Sequence, residues 1–305
     1  GYIGVDVFFV ISGYLITSIL LIDLDSSRFS LAKFYERRIR RIFPALTFYF
    51  ILSSVVAFTY FPPHALKDFS QSLVAASSFL SNLFFYIETD YHNDLANLAP
   101  LLHTWSLAVE EQFYIVFPII LWVAFSLNRK NLVLLLSFLS LCSFIWSVYL
   151  VDADASLAFY GPVSRFWELC SGGILAVYSR YWDIKVSDRI SSFLSCLGGF
   201  LIIVPIVSYS KETNFPGIGA IMPVLGALLV IRYSSTNNFV GRMLSSRIFV
   251  HIGLISYSLY LSHHIVFSSA RNIGYELDSS LMKSIAIIGS AALAVFTYRF
   301  IEQPF

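Results

Sequence analysis

The chain has 305 residues, 57% hydrophobic and only 13% charged, with a formal net charge of +1. Soluble domains carry about 25% charged residues, so a water-facing multidomain protein is excluded and the balance favours no nucleic acid partner. Several apolar runs approach the roughly 20 residues that a membrane crossing needs, which predicts an all-α polytopic membrane protein in contact with the lipid bilayer.

The chain opens on Gly1 at the mouth of a hydrophobic segment, with no signal peptide before it, and is expected to be part of something longer. The first predicted span, Val5–Ile22, carries Asp6 at its start on one face with Gly13 and Thr17. An acid at a helix centre costs about 2.5–3.5 kcal/mol even on the lenient insertion scale, while small residues let a second helix approach closely. Asp6 is therefore a candidate functional residue. Next comes "KFYERRIRRIFP", residues 33–44, which sets Arg37, Arg38, Arg40 and Arg41 just before the second span, Phe43–Phe61. Such a cluster anchors a loop to anionic inner headgroups. Guanidinium forks also bind phosphates, as a nucleotide-bearing acyl donor would require, and four Arg to one Lys favours that use.

Residues 62–106 follow as one long excursion. Within it, Leu66–Ile87 carries Lys67, Asp68, Gln71, Asn82 and several serines, which suits an amphipathic or re-entrant helix better than a crossing. The third span is Leu107–Leu127, and its mouth reads "LLHTWSLAVEEQFYIVFPIILW". On a helix His103, Ser106, Glu110 and Tyr114 share a face, with Glu111 about 100° away. Imidazole, hydroxyl, carboxylate and phenol in one stripe point to a wet cavity and acid–base work on a hydroxyl substrate; the bland alternative has both acids at the interface.

The remaining spans are Leu132–Val151, Val163–Tyr178, Ile190–Val207, Phe215–Ile231, Val250–Ser268 and Leu281–Phe300, giving nine crossings. With residues 23–42 inside, this layout puts all but Lys67, Arg165, Lys211, Arg271 and Lys283 of the 20 Lys and Arg on the inner side, as the positive-inside rule requires. Counting Leu66–Ile87 as a crossing would reverse every later loop. Residues 62–106 are then an outer-face excursion, and Glu110 sits at the outer mouth of its helix.

Other polar residues read more quietly. Arg165 and Glu168 can pair at i,i+3 inside the bundle. His263 and His264 hint weakly at a polar cavity. Cys142, Cys170 and Cys196 sit in apolar runs without a CxxC partner and read as packing residues. His92, His103 and Glu110 are ligand types on one side, yet they show no metal-site spacing, so no metal is expected. Ser106 has no GxSxG context.

Taken together, "GYIGVDVFFVISGYLIT", "FYERRIRRIFP", "LLHTWSLAVEEQFY", "RFWELCSGG", "ISYSLYLSHH" and the terminal "EQPF" resemble the acyltransferase-3 family of bacterial membrane O-acyltransferases, of the O-antigen acetylase type. The motifs stand in family order along essentially the whole chain, so residues 1–305 read as one acyltransferase-3 transmembrane domain. The resemblance implies transfer of an acyl group, usually acetyl from acetyl-CoA, across the inner membrane to an envelope carbohydrate such as lipopolysaccharide O-antigen. It implies that Arg37, Arg38 and Arg41, with Tyr35 beside them, meet the cytoplasmic donor, and that Ser106 and Glu110 belong to the catalytic side with His103 and Asp6. It also implies a preceding helix bearing the catalytic His, and in many relatives a following SGNH-type periplasmic domain. Where relatives read Trp–His–Trp–Pro, this chain has Ser262–His263–His264–Ile265, so only His263 carries over. The rival reading is a secondary transporter or flippase of an envelope precursor, against which stands the lack of an internal repeat.

Overall fold

The computed structural model describes residues 2–88, 98–182, 186–210, 213–275 and 279–304, and among these the regular structure is helical throughout. In chain order the helices are α1 (Tyr2–Asp25), α2 (Leu31–Tyr60), α3 (Pro63–Ser77), α4 (Ser81–Glu88), α5 (Thr104–Ala124), α6 (Arg129–Ala153) and α7 (Ala155–Tyr160). They continue with α8 (Pro162–Tyr181), α9 (Asp188–Ser208), α10 (Ile221–Tyr233, preceded by a 3₁₀ turn Gly217–Ala220), α11 (Phe239–Leu244), α12 (Arg247–Leu254), α13 (Ser256–Asn272) and α14 (Ser280–Thr297). A π-helical turn, Tyr298–Glu302, extends α14.

Among the described residues six helices are long and apolar enough to cross a membrane: Ile3–Asp25, Leu31–Tyr60, Thr104–Ala124, Arg129–Ala153, Asp188–Ser208 and Ser280–Glu302. All six were expected from the apolar runs. The other three expected crossings differ for separate reasons. The run Val163–Tyr178 does form a 20-residue helix, α8, but Arg165, Glu168 and Arg180 lower its apolarity. The run Phe215–Ile231 gives the shorter apolar stretch Gly217–Tyr233. The run Val250–Ser268 is broken at Ile255 into α12, none of whose residues is buried, and α13. Leu66–Ile87 is likewise broken, into α3 and α4, so no single helix there is long enough to cross. The basic motif does not form a separate short helix; it is the first third of α2, continuous through Pro44.

The chain divides into two compact units, residues 1–30 with 109–246, and residues 31–108 with 247–305. The boundary falls inside α5, between Ala108 and Val109.

In the first unit α1 packs along α8. A Cβ added to Gly13 would stand 1.8 Å from the Leu169 carbonyl oxygen, and one added to Gly172 would stand 2.0 Å from that of Val10. Only glycine permits so close a crossing, the packing mode of small residues between membrane helices. The apolar core beside it joins Val10, Trp167, Ala220, Val224 and Ala227. In the second unit α2, α13 and α14 enclose a core that includes Leu46, Tyr49, Leu101, Leu107, Leu261 and Ile265. Tyr49 donates to the Ser258 carbonyl at 3.1 Å and receives the Thr297 hydroxyl at 3.1 Å, so one buried phenol ties three helices. With lipid tails as apolar as leucine, such hydrogen bonds supply part of the association that hydrophobicity cannot.

Candidate functional site

Within the first unit two acids are buried, and their partners differ. Asp6 and Glu168 are both fully buried, as is Arg165, whose Nη1 donates to Asp6 Oδ1 at 2.8 Å and to Glu168 Oε1 at 2.6 Å. The guanidinium also lies over the Phe159 and Phe215 rings, and its Nε donates to the Phe159 carbonyl at 3.2 Å. The expected i,i+3 pair therefore exists, and Asp6 joins it as a third member from α1.

Glu110 is 4% exposed. Its Oε1 accepts the Ser12 hydroxyl from α1 and the Tyr114 hydroxyl from one turn further along α5, and the Ser12 and Tyr114 hydroxyls also meet each other. A carboxylate drawn out of water needs donors in place of solvent, and two hydroxyls converging on one oxygen provide them. Unlike Asp6, it has no ion pair here within 4 Å among the described residues.

The second unit holds the other half of the expected stripe. His103 precedes α5 and is 6% exposed, and neither ring nitrogen has a hydrogen-bond partner of good geometry; the Pro100 carbonyl lies nearby. Burial, and after it the neighbouring His264 and His263, holds this imidazole well below the usual histidine range, so it is neutral near pH 7. Its ring centroid is 5.4 Å from that of His264, 5.9 Å from His263 and 5.3 Å from Tyr260. Ser106 Oγ meets the Tyr260 hydroxyl at 2.6 Å, and Tyr260 in turn donates to the His103 carbonyl. Among the described residues no three His, Cys, Asp or Glu side chains converge closely enough to hold a metal ion; His92, the third ligand type considered, lies outside the described residues.

The stripe read from helical spacing is thus resolved into two groups. His103 and Ser106 pack among α13 residues in the second unit, and Glu110 and Tyr114 against α1 in the first. Spacing on one helix shows which side chains share a face, but not which neighbour each of them meets. Ser12, Tyr260 and His264 were the residues that spacing missed. Tyr260 and His263 stand at i and i+3 on one face of α13, and that repeat was the signal available.

At the start of α2, Phe34 is buried, with the Arg38 guanidinium 5.8 Å from its ring centroid. Arg40 pairs with Glu36 at 2.9 Å, both side chains mostly in the open, an ion pair worth little. Arg37 and Arg41 are exposed and Tyr35 half-buried. The fourth arginine is thereby committed to a local pair, and Arg37, Arg38 and Arg41 remain the set expected to meet phosphates.

These features define a polytopic membrane protein with buried acid–base clusters and a guanidinium face, the equipment of a membrane-embedded group-transfer enzyme. The chain belongs to the acyltransferase-3 family: the family model, described as an acyltransferase domain, matches residues 1–299. It is similar to the O-acetyltransferase OatA of Staphylococcus aureus, 32% identical over 321 residues that take in 100% of this chain and 52% of the relative. It is also similar to the peptidoglycan O-acetyltransferase OatA of Listeria monocytogenes, 29% identical over 319 residues, 100% of this chain and 51% of the relative. The chain therefore spans about half the length of these curated relatives. No solved structure matches it.

Proposed function

We propose that this chain is the membrane part of an O-acetyltransferase that takes an acetyl group from acetyl-CoA on the inner side of the plasma membrane. The acceptor is a hydroxyl of a cell-wall glycan of the peptidoglycan type on the outer side. The sequence motifs alone pointed to lipopolysaccharide O-antigen as an example acceptor; the names of the relatives favour peptidoglycan instead. Inside and outside follow from the distribution of Lys and Arg, and the donor from the guanidinium face of Arg37, Arg38 and Arg41 beside Tyr35.

The observation that carries the reading is Glu110, a carboxylate 4% exposed in an apolar helix and held by two hydroxyls. A transporter needs such an acid equally, but the guanidinium face and the family membership do not fit that rival. Glu110 serves the acid–base side of the transfer, Ser12 and Tyr114 fixing its orientation. His103 and Ser106 serve the same chemistry in the second unit, while Asp6 acts through its ion pair to hold α1. The test is Glu110→Gln in the full-length parent. Removing a positioned acid–base partner costs about 10²–10⁴ in rate, so acetyl ester on isolated wall glycan should nearly vanish at unchanged protein level. Near-full ester content in a normally inserted Glu110→Gln protein would return the acid to a packing role.

A further inference from the structure

We propose that His263 is the general base that removes the proton from the acceptor hydroxyl, within a three-imidazole seat for a glycan hydroxyl formed with His103 and His264. The proposal rests on the acetyl-transfer reading above and adds to it the base and the chemistry of the acceptor seat.

The tautomers carry the argument. His263 Nδ1 faces the Tyr260 carbonyl at 2.7 Å and the Leu259 carbonyl at 3.2 Å. A carbonyl only accepts, so Nδ1 bears the proton and Nε2 is left with a bare lone pair. His263 is exposed, so that lone pair is open to a ligand. An imidazole pinned through Nδ1–H with Nε2 bare is how a triad histidine is held for proton abstraction. His264 is fixed in the opposite sense. Its Nε2 lies 2.9 Å from the Ala99 carbonyl, so Nε2 carries the proton and Nδ1 is bare. The His263 and His264 ring centroids are 6.1 Å apart, and the His103 ring, buried and without a hydrogen-bond partner, closes the triangle. A seat rich in bare imidazole nitrogens and free of fixed charge favours a ligand that brings hydroxyl donors, which is the chemistry of a carbohydrate and not of an anion.

The same helix joins this seat to the donor side. Tyr257, in the first turn of α13, donates its hydroxyl to the Ile42 carbonyl at 3.1 Å, one residue beyond Arg41. From Tyr257 to His263 the helix rises about 9 Å. A donor whose phosphates rest on Arg37, Arg38 and Arg41 can therefore extend its thioester arm along α13 towards the base. As the acceptor oxygen bonds to the acetyl carbon, its proton passes to His263 Nε2 and the thioester C–S bond breaks. The departing thiolate then takes that proton, leaving the O-acetyl ester and a free thiol.

The experiment uses the full-length parent in proteoliposomes, with acetyl-CoA and a soluble peptidoglycan glycan fragment, and measures ester formed and acetyl-CoA affinity. His263→Gln and His263→Asn should each bind acetyl-CoA as the unmodified protein does and lose about 10²–10⁴ in kcat. The Asn amide can replace the Nδ1–H donor but offers nothing at Nε2, so its failure separates base from anchor. His251→Gln, at an exposed histidine of α12, should keep full activity. Either His263 variant retaining more than a tenth of the rate overturns the assignment. No ester from the unmodified protein would overturn the acetyl-transfer reading itself, and the base with it.

Discussion

Breaking the Arg165 cluster is the sharpest physical test of the first unit. Arg165→Met removes the guanidinium and leaves Asp6 and Glu168, both fully buried, without their shared cation. Orphaning a buried charge in this way costs about 3–5 kcal/mol, whereas Asp6→Asn leaves Glu168 on the guanidinium and forfeits one charged hydrogen bond, about 1.5–3 kcal/mol. At roughly 2–4 °C per kcal/mol for a large domain, Arg165→Met should lower the unfolding midpoint by on the order of 10 °C. The triple variant Asp6→Asn, Arg165→Met, Glu168→Gln removes every formal charge and should recover part of that loss, because uncharged replacement of a buried cluster is far cheaper than orphaning one member. The assay is thermal unfolding of detergent-solubilised full-length protein at one fixed scan rate, followed by tryptophan fluorescence. A midpoint within about 2 °C of the unmodified protein for Arg165→Met, or a triple variant less stable than the single, refutes the reasoning. Should Asp6→Asn instead remain stable and lose acetyl transfer, Asp6 acts in the reaction and is no mere anchor.

Two other outcomes are expected. Replacing Arg37, Arg38 and Arg41 with Gln should weaken acetyl-CoA binding in the full-length parent, measured by titration calorimetry, while leaving insertion unchanged; an unaltered affinity would return these residues to membrane anchoring. Gly13→Ala should fail or destabilise strongly in the same thermal assay, because its Cβ would stand 1.8 Å from the Leu169 carbonyl oxygen on the opposing backbone; a wild-type midpoint would mean that α1 and α8 cross less closely.

The membrane spans were legible in proportion to their apolarity. Runs such as Val5–Ile22 or Ile190–Val207 announce a crossing because nothing in them competes with lipid. Val250–Ser268 did not announce its break at Ile255, since the residues around it are as apolar as a span and no Pro or Asn marks the interruption. The site was legible as an inventory and not as an assembly. Glu110 and Tyr114 share a helix turn, and their contact follows from i,i+4 spacing. Ser12 lies 98 residues from Glu110 in sequence, and no periodicity within α5 could name it. Arg165 was likewise predicted to pair with Glu168 three residues on, while its second partner, Asp6, is 159 residues away.

Those partners separate two acids that looked alike in the sequence. Both Asp6 and Glu110 stand near the start of an apolar helix, and both were candidates for chemistry. Asp6 meets a guanidinium that also holds Glu168, an arrangement in which withdrawing any one charge leaves the others uncompensated in a low-dielectric interior. Such a carboxylate is too costly to move or to protonate in each cycle, and suits a fixed joint between α1 and α8. Glu110 meets only neutral hydroxyls among its printed hydrogen-bond partners. Hydroxyls rotate and can donate or accept, so Ser12 and Tyr114 can follow a change of charge on Glu110 without stranding a counter-ion. By that criterion the acid suited to proton chemistry in the first unit is the one held by hydroxyls, and the acid held by arginine keeps the helix that carries Ser12 in place.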